Sequence, residues 1–320
     1  MKTWKKFAHV NATTIDEASS ILRAGKAAVI SGGTDLLGTM RFEILPNYPE
    51  VLVNLKTIPG LDYIKEEGGV LRIGALARLE DIAKNDMIRK RYTALAEGAH
   101  RTATPHIREM GTIAGNICQF TRCWYFRNPD NRFFCIRKGG KQCFAMAGDN
   151  RYHSIFGAVK YCLAVNPSDT APALVALNAK VKTNKRVIEA EQFWDMTVPG
   201  STALASDEIV TEIQIPAPAT GAKSAFIKFA IRKSIDFPIV NCAAMIGGGN
   251  VRICMNAVYN KPYRATQAEE VIKGKSINEA NADAAGAAAV SSAKALPGDR
   301  NKWKIPIAKA MVKRAILACA

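Results

Sequence analysis

Five of the eight cysteines of this chain fall between positions 118 and 162. They stand between two turn-forming motifs, Gly111-Thr112-Ile113-Ala114-Gly115-Asn116 and Asn166-Pro167-Ser168-Asp169-Thr170-Ala171-Pro172. Flexible turns, clustered sulfur and an aspartate in close succession mark a cofactor segment. The rest of the chain reads as its scaffold.

Cys123, Cys135, Cys143 and Cys162 have 11, 7 and 18 residues between them. Four thiolates suit zinc or a [4Fe–4S] cluster. Structural zinc commonly uses close C-x-x-C pairs, and the sequence has none. A cubane tolerates wide spacing, because each iron takes one thiolate from a different direction. Trp124, Tyr125, Phe126, Phe133, Phe134 and Phe144 lie in the same stretch and can shield a cluster from water. Buried free thiols are the plain alternative, and Cys118 competes as a ligand. Cys242, Cys254 and Cys319 read as core or surface thiols. The N-terminal Met1-Lys2-Thr3-Trp4-Lys5-Lys6-Phe7 has no apolar stretch after it, so it is not a secretory signal. With eight cysteines, that predicts a reducing compartment and cytoplasmic residence. No apolar run reaches the roughly eighteen residues of a membrane span.

A second glycine turn lies upstream. Ala27-Ala28-Val29-Ile30 reads as a buried strand running into Ser31-Gly32-Gly33-Thr34-Asp35-Leu36-Leu37. Glycines after a strand let backbone N–H groups approach a pyrophosphate, and a following helix N-terminus adds positive potential. The pattern is neither G-x-G-x-x-G nor a Walker loop, so Rossmann and P-loop chemistry are not indicated. Two such turns in one chain fit an extended dinucleotide between them. Asp169 can accept hydrogen bonds from ribityl or ribose hydroxyls, or serve an Asx turn or helix cap. Lys228, Arg232 and Asp236 could face an anion or form a surface ion pair. The histidines at 9, 100, 106 and 153 show no metal-ligand spacing, and no G-x-S-x-G or H-E-x-x-H occurs.

At 320 residues there is room for two or three domains. Residues 1–57 read as a small α/β unit, with a Thr14-capped helix bearing Ile15, Ala18, Ile21 and Leu22 on its apolar face. Residues 58–218 open with a hairpin turning at Gly68-Gly69, followed by helical stretches around 79–85 and 87–98. They continue with the cysteine insert at about 118–162 and then short strands at Ala173–Leu177, Lys180–Thr183 and Ile209–Ile215. A Pro/Ala/Gly linker at 216–221 leads to a C-terminal α+β unit, 222–320. There, strands at Ser224–Ile231, Ala243–Gly247 and Val251–Val258 precede helices at Ile277–Ala295 and Ile305–Ala318.

The net charge is +16, from 44 Lys+Arg against 28 Asp+Glu. The densest basic groups are Arg137-Lys138-Gly139-Gly140-Lys141 and Lys302 to Arg314, and a solvated basic surface is their plain explanation. No nucleic-acid motif accompanies them, and an anionic cofactor or an acidic partner accounts for the charge equally well.

The motifs Ser31-Gly32-Gly33-Thr34-Asp35-Leu36-Leu37, Thr112-Ile113-Ala114-Gly115-Asn116 and Asn166-Pro167-Ser168-Asp169-Thr170-Ala171 resemble the flavin-binding medium subunits of the xanthine dehydrogenase/molybdenum hydroxylase family. Asp207-Glu208-Ile209-Val210 and Lys228 with Arg232 and Asp236 add to the likeness, which covers nearly the whole chain. Within the family, Asn116 to Cys123, Lys138 to Cys143 and Ile231-Arg232-Lys233-Ser234-Ile235-Asp236-Phe237-Pro238 are most similar to the β subunit of 4-hydroxybenzoyl-CoA reductase. That subtype carries an extra [4Fe–4S] loop. The spacing from Cys143 to Cys162 is longer than in that reductase.

The resemblance implies an α+β fold: a two-part FAD-binding domain of the vanillyl-alcohol-oxidase/PCMH type with an inserted iron–sulfur loop, then a C-terminal α+β domain. It implies that Val29, Ile30, Ser31, Gly32, Gly33, Thr34, Asp35 and Leu36 hold the FAD pyrophosphate, with Thr104 close by. Thr112, Gly115 and Asn116 hold the other side and Asp169 the ribityl or ribose, while Val210 and Lys228 sit beside the isoalloxazine. Cys123, Cys135, Cys143 and Cys162 become the cluster ligands. The expected partners are a molybdenum-cofactor large subunit and a [2Fe–2S] small subunit, in a hetero-oligomer such as a dimer of heterotrimers. No nucleic acid or membrane is expected. A ferredoxin or other redox partner suits the basic surface; salt-insensitive reduction by ferredoxin would count against it. The expected function is electron transfer, without turnover of the organic substrate by this chain alone. A flavin subunit of a xanthine- or aldehyde-dehydrogenase complex, a stand-alone flavoenzyme and a zinc-stabilised nucleic-acid module are the rival readings.

Overall fold

The computed structural model describes residues 4–197 and 199–320; the first three residues of the N-terminal stretch read above lie outside them. The chain begins with a three-stranded parallel sheet in the spatial order Ala8–Asn11, Val51–Asn54, Ala27–Ile30. The helix Ile15–Arg23 connects the outer strands. It starts at Thr14, whose hydroxyl accepts the Glu17 N–H, and it buries Ala18 and Leu22.

A five-stranded antiparallel sheet follows, ordered Ile64–Glu67, Val70–Gly74, Val210–Pro216, Lys180–Thr183, Val187–Glu189. Helices Leu79–Lys84, Asp86–Arg91 and Thr93–His100 pack against it. The continuous helix expected over 87–98 is broken at Tyr92, whose backbone (φ −128°, ψ 45°) leaves the helical region. Ala173–Leu177, expected as a strand, falls largely within the helix Ala171–Ala176. All six of its residues are buried, so it shows no helical periodicity. The short elements at Ala8–Asn11, Val187–Glu189 and Thr266–Ile272 carry no strong local pattern and went unanticipated.

The C-terminal part is a four-stranded antiparallel sheet, ordered Tyr263–Arg264, Asn250–Asn256, Val240–Gly247, Lys223–Phe229. Helices Thr266–Ile272, Glu279–Ala289 and Lys304–Leu317 cover one face through Cys242, Ala244 and Met255. The other face packs Phe226, Ala243 and Cys254 into the core of the five-stranded sheet. Successive side chains of a strand point to opposite faces, so burial on both sides turns Val240–Ala244 into a nearly unbroken apolar run.

From Gln119 to Thr170 the chain has neither α-helix nor extended strand. Only two 3₁₀ turns, Pro129–Asn131 and Ile136–Lys138, and a bridge between Val159 and Cys162 break the loop. Side-chain anchors replace secondary structure here. The buried Lys304 Nζ donates to the carbonyls of His153 (3.0 Å) and Ala257 (2.7 Å), and Asn301 Nδ2 donates to that of Ser154 (2.8 Å). The C-terminal helix thereby holds the far end of the loop.

Candidate functional site: a dinucleotide cleft beside a four-thiol cavity

The two glycine turns, 81 positions apart, meet through Ser31 Oγ and Thr112 Oγ1 at 3.1 Å. Thr112 also caps the helix Ile113–Cys118 by accepting the Gly115 N–H. Gly32 is required by the protein itself: a Cβ there would lie 2.0 Å from the Met110 carbonyl oxygen. The turns therefore close onto each other and open a cleft of about 640 Å³. Val29 to Leu36 line it, as do Thr112, Gly115, Asn116, Asp169 and Val210. The short helices Leu36–Arg41 and Ile113–Cys118 begin at this cleft. The unpaired N–H groups of helix starts suit the phosphates of a dinucleotide.

Two residues of the expected set lie outside the cleft lining. Thr104 caps the helix Pro105–Met110 by accepting the Ile107 N–H. Lys228 sits behind the wall and pairs with Asp169, Nζ to Oδ2 at 2.7 Å, both side chains 3% exposed. Asn241 Nδ2 donates to the other carboxylate oxygen at 2.8 Å. Burial raises the Asp169 carboxyl above the usual range, opposed by Lys228 and Asn241. Arg232 and Asp236 pair with each other, and Asp236 lines the cleft. Asn116 Oδ1 accepts hydrogen bonds from Ser168 (2.5 Å) and Thr170 (2.7 Å), which tie its helix to the Asn166–Thr170 turn.

Asp35 points away from a phosphate role. Its carboxylate accepts the Phe120 N–H at 3.0 Å, Arg127 Nη2 at 2.7 Å and Arg122 Nη2 at 2.9 Å. It thus fastens the entry of the cysteine loop to the glycine turn. Along that entry, Phe120 and Arg122 line the cleft, whereas Thr121 and Cys123 line a second cavity. One thickness of chain separates the two spaces.

The second cavity is small, about 10 Å³, and is lined by Cys123, Cys135, Cys143 and Cys162 together with Tyr125, Phe126 and Phe144. Cys118 lies elsewhere, in the dinucleotide cleft, where burial pushes its thiol up to about 12. None of the eight cysteines is in a disulfide. Among the described residues no group of three or more His, Cys, Asp or Glu side chains is arranged to hold a metal ion. Gly140 folds the loop tightly: a Cβ would lie 1.9 Å from the Phe134 carbonyl oxygen. Three polar residues near the cavity carry no site role in the sequence pattern. His153 Nε2 lies 3.3 Å from Cys123 Sγ, and Arg137 Nε donates to Cys162 Sγ at 3.4 Å. Arg137 and its neighbour Lys138 are both buried, contrary to their reading as solvated basic surface. No local signal distinguishes such a buried pair from an exposed one.

The fold and cleft define a flavoprotein module joined to a C-terminal α+β domain. Residues 5–218 match the FAD binding domain in molybdopterin dehydrogenase, and residues 225–319 match the CO dehydrogenase flavoprotein C-terminal domain. The aldehyde oxidoreductase FAD-binding subunit PaoB of Escherichia coli is 34% identical over 83% of this chain and 85% of its own length. The carbon monoxide dehydrogenase medium chain of Hydrogenophaga pseudoflava is 27% identical over 95% and 94%. A solved carbon monoxide dehydrogenase structure from the same organism superposes with a TM-score of 0.76 at 26% identity, covering 99% of this chain and 98% of that one. The chain therefore belongs to the FAD-binding medium subunits of the carbon monoxide dehydrogenase/xanthine oxidase family of molybdenum hydroxylases. Its role is that of an FAD-binding oxidoreductase subunit. No helix among the described residues is long and apolar enough to cross a membrane.

Proposed function

We propose that this chain is an FAD- and [4Fe–4S]-binding electron-transfer subunit, working with a molybdenum-cofactor large subunit and a [2Fe–2S] small subunit. The observation that carries the reading is the convergence of Cys123, Cys135, Cys143 and Cys162 on one cavity beside the FAD cleft. Four separate thiols around an aromatic-walled space are the donor set of a cubane, whose irons each need one thiolate. Bound together, the flavin supplies one- or two-electron chemistry and the cluster one-electron transfer. The protein's part is geometric. The Ser31–Leu36 and Thr112–Asn116 turns hold the dinucleotide, the four thiols hold the cluster, and Asp35 fixes the segment between them. Tyr125, Phe126 and Phe144 keep water from the cavity.

The likeness to the 4-hydroxybenzoyl-CoA reductase subunit rests on the loop motifs and favours an aromatic acyl-CoA as substrate of the whole complex. The 34% identity to an aldehyde oxidoreductase subunit favours an aldehyde instead. In either complex the substrate is chosen by another chain. A ferredoxin or other acidic redox partner fits the +16 charge.

The test is iron, acid-labile sulfide, zinc and FAD per chain after anaerobic purification. About four irons, four sulfides and one FAD are expected. Cys162→Ser should lose the cluster and Cys118→Ser should keep it. FAD without iron or sulfide, even after anaerobic reconstitution, would remove the cluster from this reading. Zinc in place of iron would replace it.

A further inference from the structure

Two buried cations stand beside the four-thiol cavity with no anion to match them. Arg137 and Lys138 are each 2% exposed and lie on the 3₁₀ turn that directly follows Cys135. Apart from Cys162 Sγ, Arg137 donates to the Gly200 carbonyl (2.9 Å), Ser201 Oγ (2.8 Å) and Asn260 Oδ1 (2.6 Å), all of them neutral. Lys138 Nζ is buried without a hydrogen-bond partner and stands 5.5 Å from the centre of the Phe126 ring, one wall of the cavity. Among the described residues no carboxylate pairs with either cation.

Burying an unmatched charge is strongly unfavourable. Elsewhere Arg108 meets Glu80 and Lys228 meets Asp169, while the buried Lys304 meets three neutral carbonyls. Of these buried cations only Lys138 lacks any hydrogen-bond partner, and it stands where four sulfurs converge. A cubane held by four thiolates is a dianion, and a trianion once it accepts an electron. Its oxidised charge equals that of the two cations with opposite sign.

We propose that Arg137 and Lys138 are built-in counter-ions of the cluster and raise its reduction potential. This rests on the cluster reading above. A fixed positive charge in a dry site stabilises the more negative, reduced form. In the titration a chemical reductant such as dithionite would be oxidised and give up the electron, which the cluster would keep as added negative charge, so no leaving group enters the balance.

The experiment is an EPR-monitored redox titration, with iron analysis, of the anaerobically purified full chain and four variants. Arg137→Gln and Lys138→Met are expected to keep the cluster. Each should lower the ratio of reduced to oxidised cluster at fixed potential at least tenfold, about 59 mV for one electron. Arg137→Lys and Lys138→Arg, which keep the charge, should stay near the wild type. Iron-loaded Gln and Met variants that titrate like the wild type would overturn the proposal and leave the cluster reading intact. If the Gln and Met variants lose iron while the charge-conserving pair keeps it, the counter-ion role is supported. Loss of iron from all four would overturn it in favour of simple packing. A wild-type chain without iron or sulfide would overturn the cluster reading, and this proposal with it.

Discussion

Arg108 shows how a single buried side chain shapes the cleft. Its Nε donates to Glu80 at 2.6 Å, and its Nη1 donates to the carbonyls of Thr102 and Ala103 at 3.1 and 3.3 Å. Thr102 and Ala103 line the dinucleotide cleft, so the guanidinium holds part of that wall from behind. Burial raises the Glu80 carboxyl, but the hydrogen bonds and charges of Arg108 and Lys84 outweigh it and hold the group below the usual glutamate range. A carboxylate lowered in the fold contributes stability above its unfolded value of about 4.3, and that stability is lost as pH falls through the folded value. Glu80→Gln leaves Arg108 buried without its anion. It is expected to lose about 3 kcal/mol at pH 7, and the gap from the wild type should close as pH falls below about 4. Urea midpoints measured across pH check both the size and the sign. A gap that widens toward acid would show that the pair does not carry the effect.

Secondary-structure elements were legible in the sequence where their local pattern agrees with their burial. Ile15–Arg23 shows one apolar stripe and a capping threonine, and Gly68-Gly69 marks its hairpin without outside help. Ala171–Ala176 was not legible, because burial on every side erases the period that separates helix from strand. The candidate site divides in the same way. Its glycine turns carry local chemistry and stand out, whereas the use of Asp35 depends on Arg127, 92 positions away. The burial of Arg137 and Lys138 likewise depends on Ser201 and Asn260, contacts that no local window contains. Asp35 is also where element-level behaviour can be tested. It joins the start of the helix Leu36–Arg41 to an extended loop with little structure of its own. Asp35→Asn removes the charge that organises two guanidiniums. Charge-assisted hydrogen bonds contribute about 1.5–3 kcal/mol each. Amide-exchange protection across 120–127 should therefore fall at least tenfold, while that of the strand Val210–Pro216 stays the same. Equal loss in both would mean that the aspartate supports the whole domain rather than the loop.

Across the whole molecule, the C-terminal sheet reaches the FAD cleft through one buried ion pair. Asp169 belongs to the turn that bounds the cleft, and Lys228 to the strand Lys223–Phe229. Lys228 Nζ also donates to the Arg101 carbonyl at 2.8 Å, and Asn241, on the next strand, completes the carboxylate. The cleft wall and the C-terminal sheet are therefore held in one register by a charge that neither part could bury alone. Lys228→Met strands the Asp169 carboxylate with Asn241 as its remaining donor. Breaking one side of such a pair costs about 3–5 kcal/mol. Because Asp169 lines the cleft, FAD affinity should fall at least tenfold along with thermal stability. Asp169→Asn added to Lys228→Met removes the stranded charge, so the double variant should be more stable than Lys228→Met alone. A coupling of about 1–3 kcal/mol is expected in the cycle. Calorimetry and fluorimetric FAD titration on the wild type, the two single variants and the double variant measure it. Strictly additive losses would mean that the two residues act separately, and that the register of the C-terminal sheet is set instead by the apolar contacts of Phe226, Ala243 and Cys254.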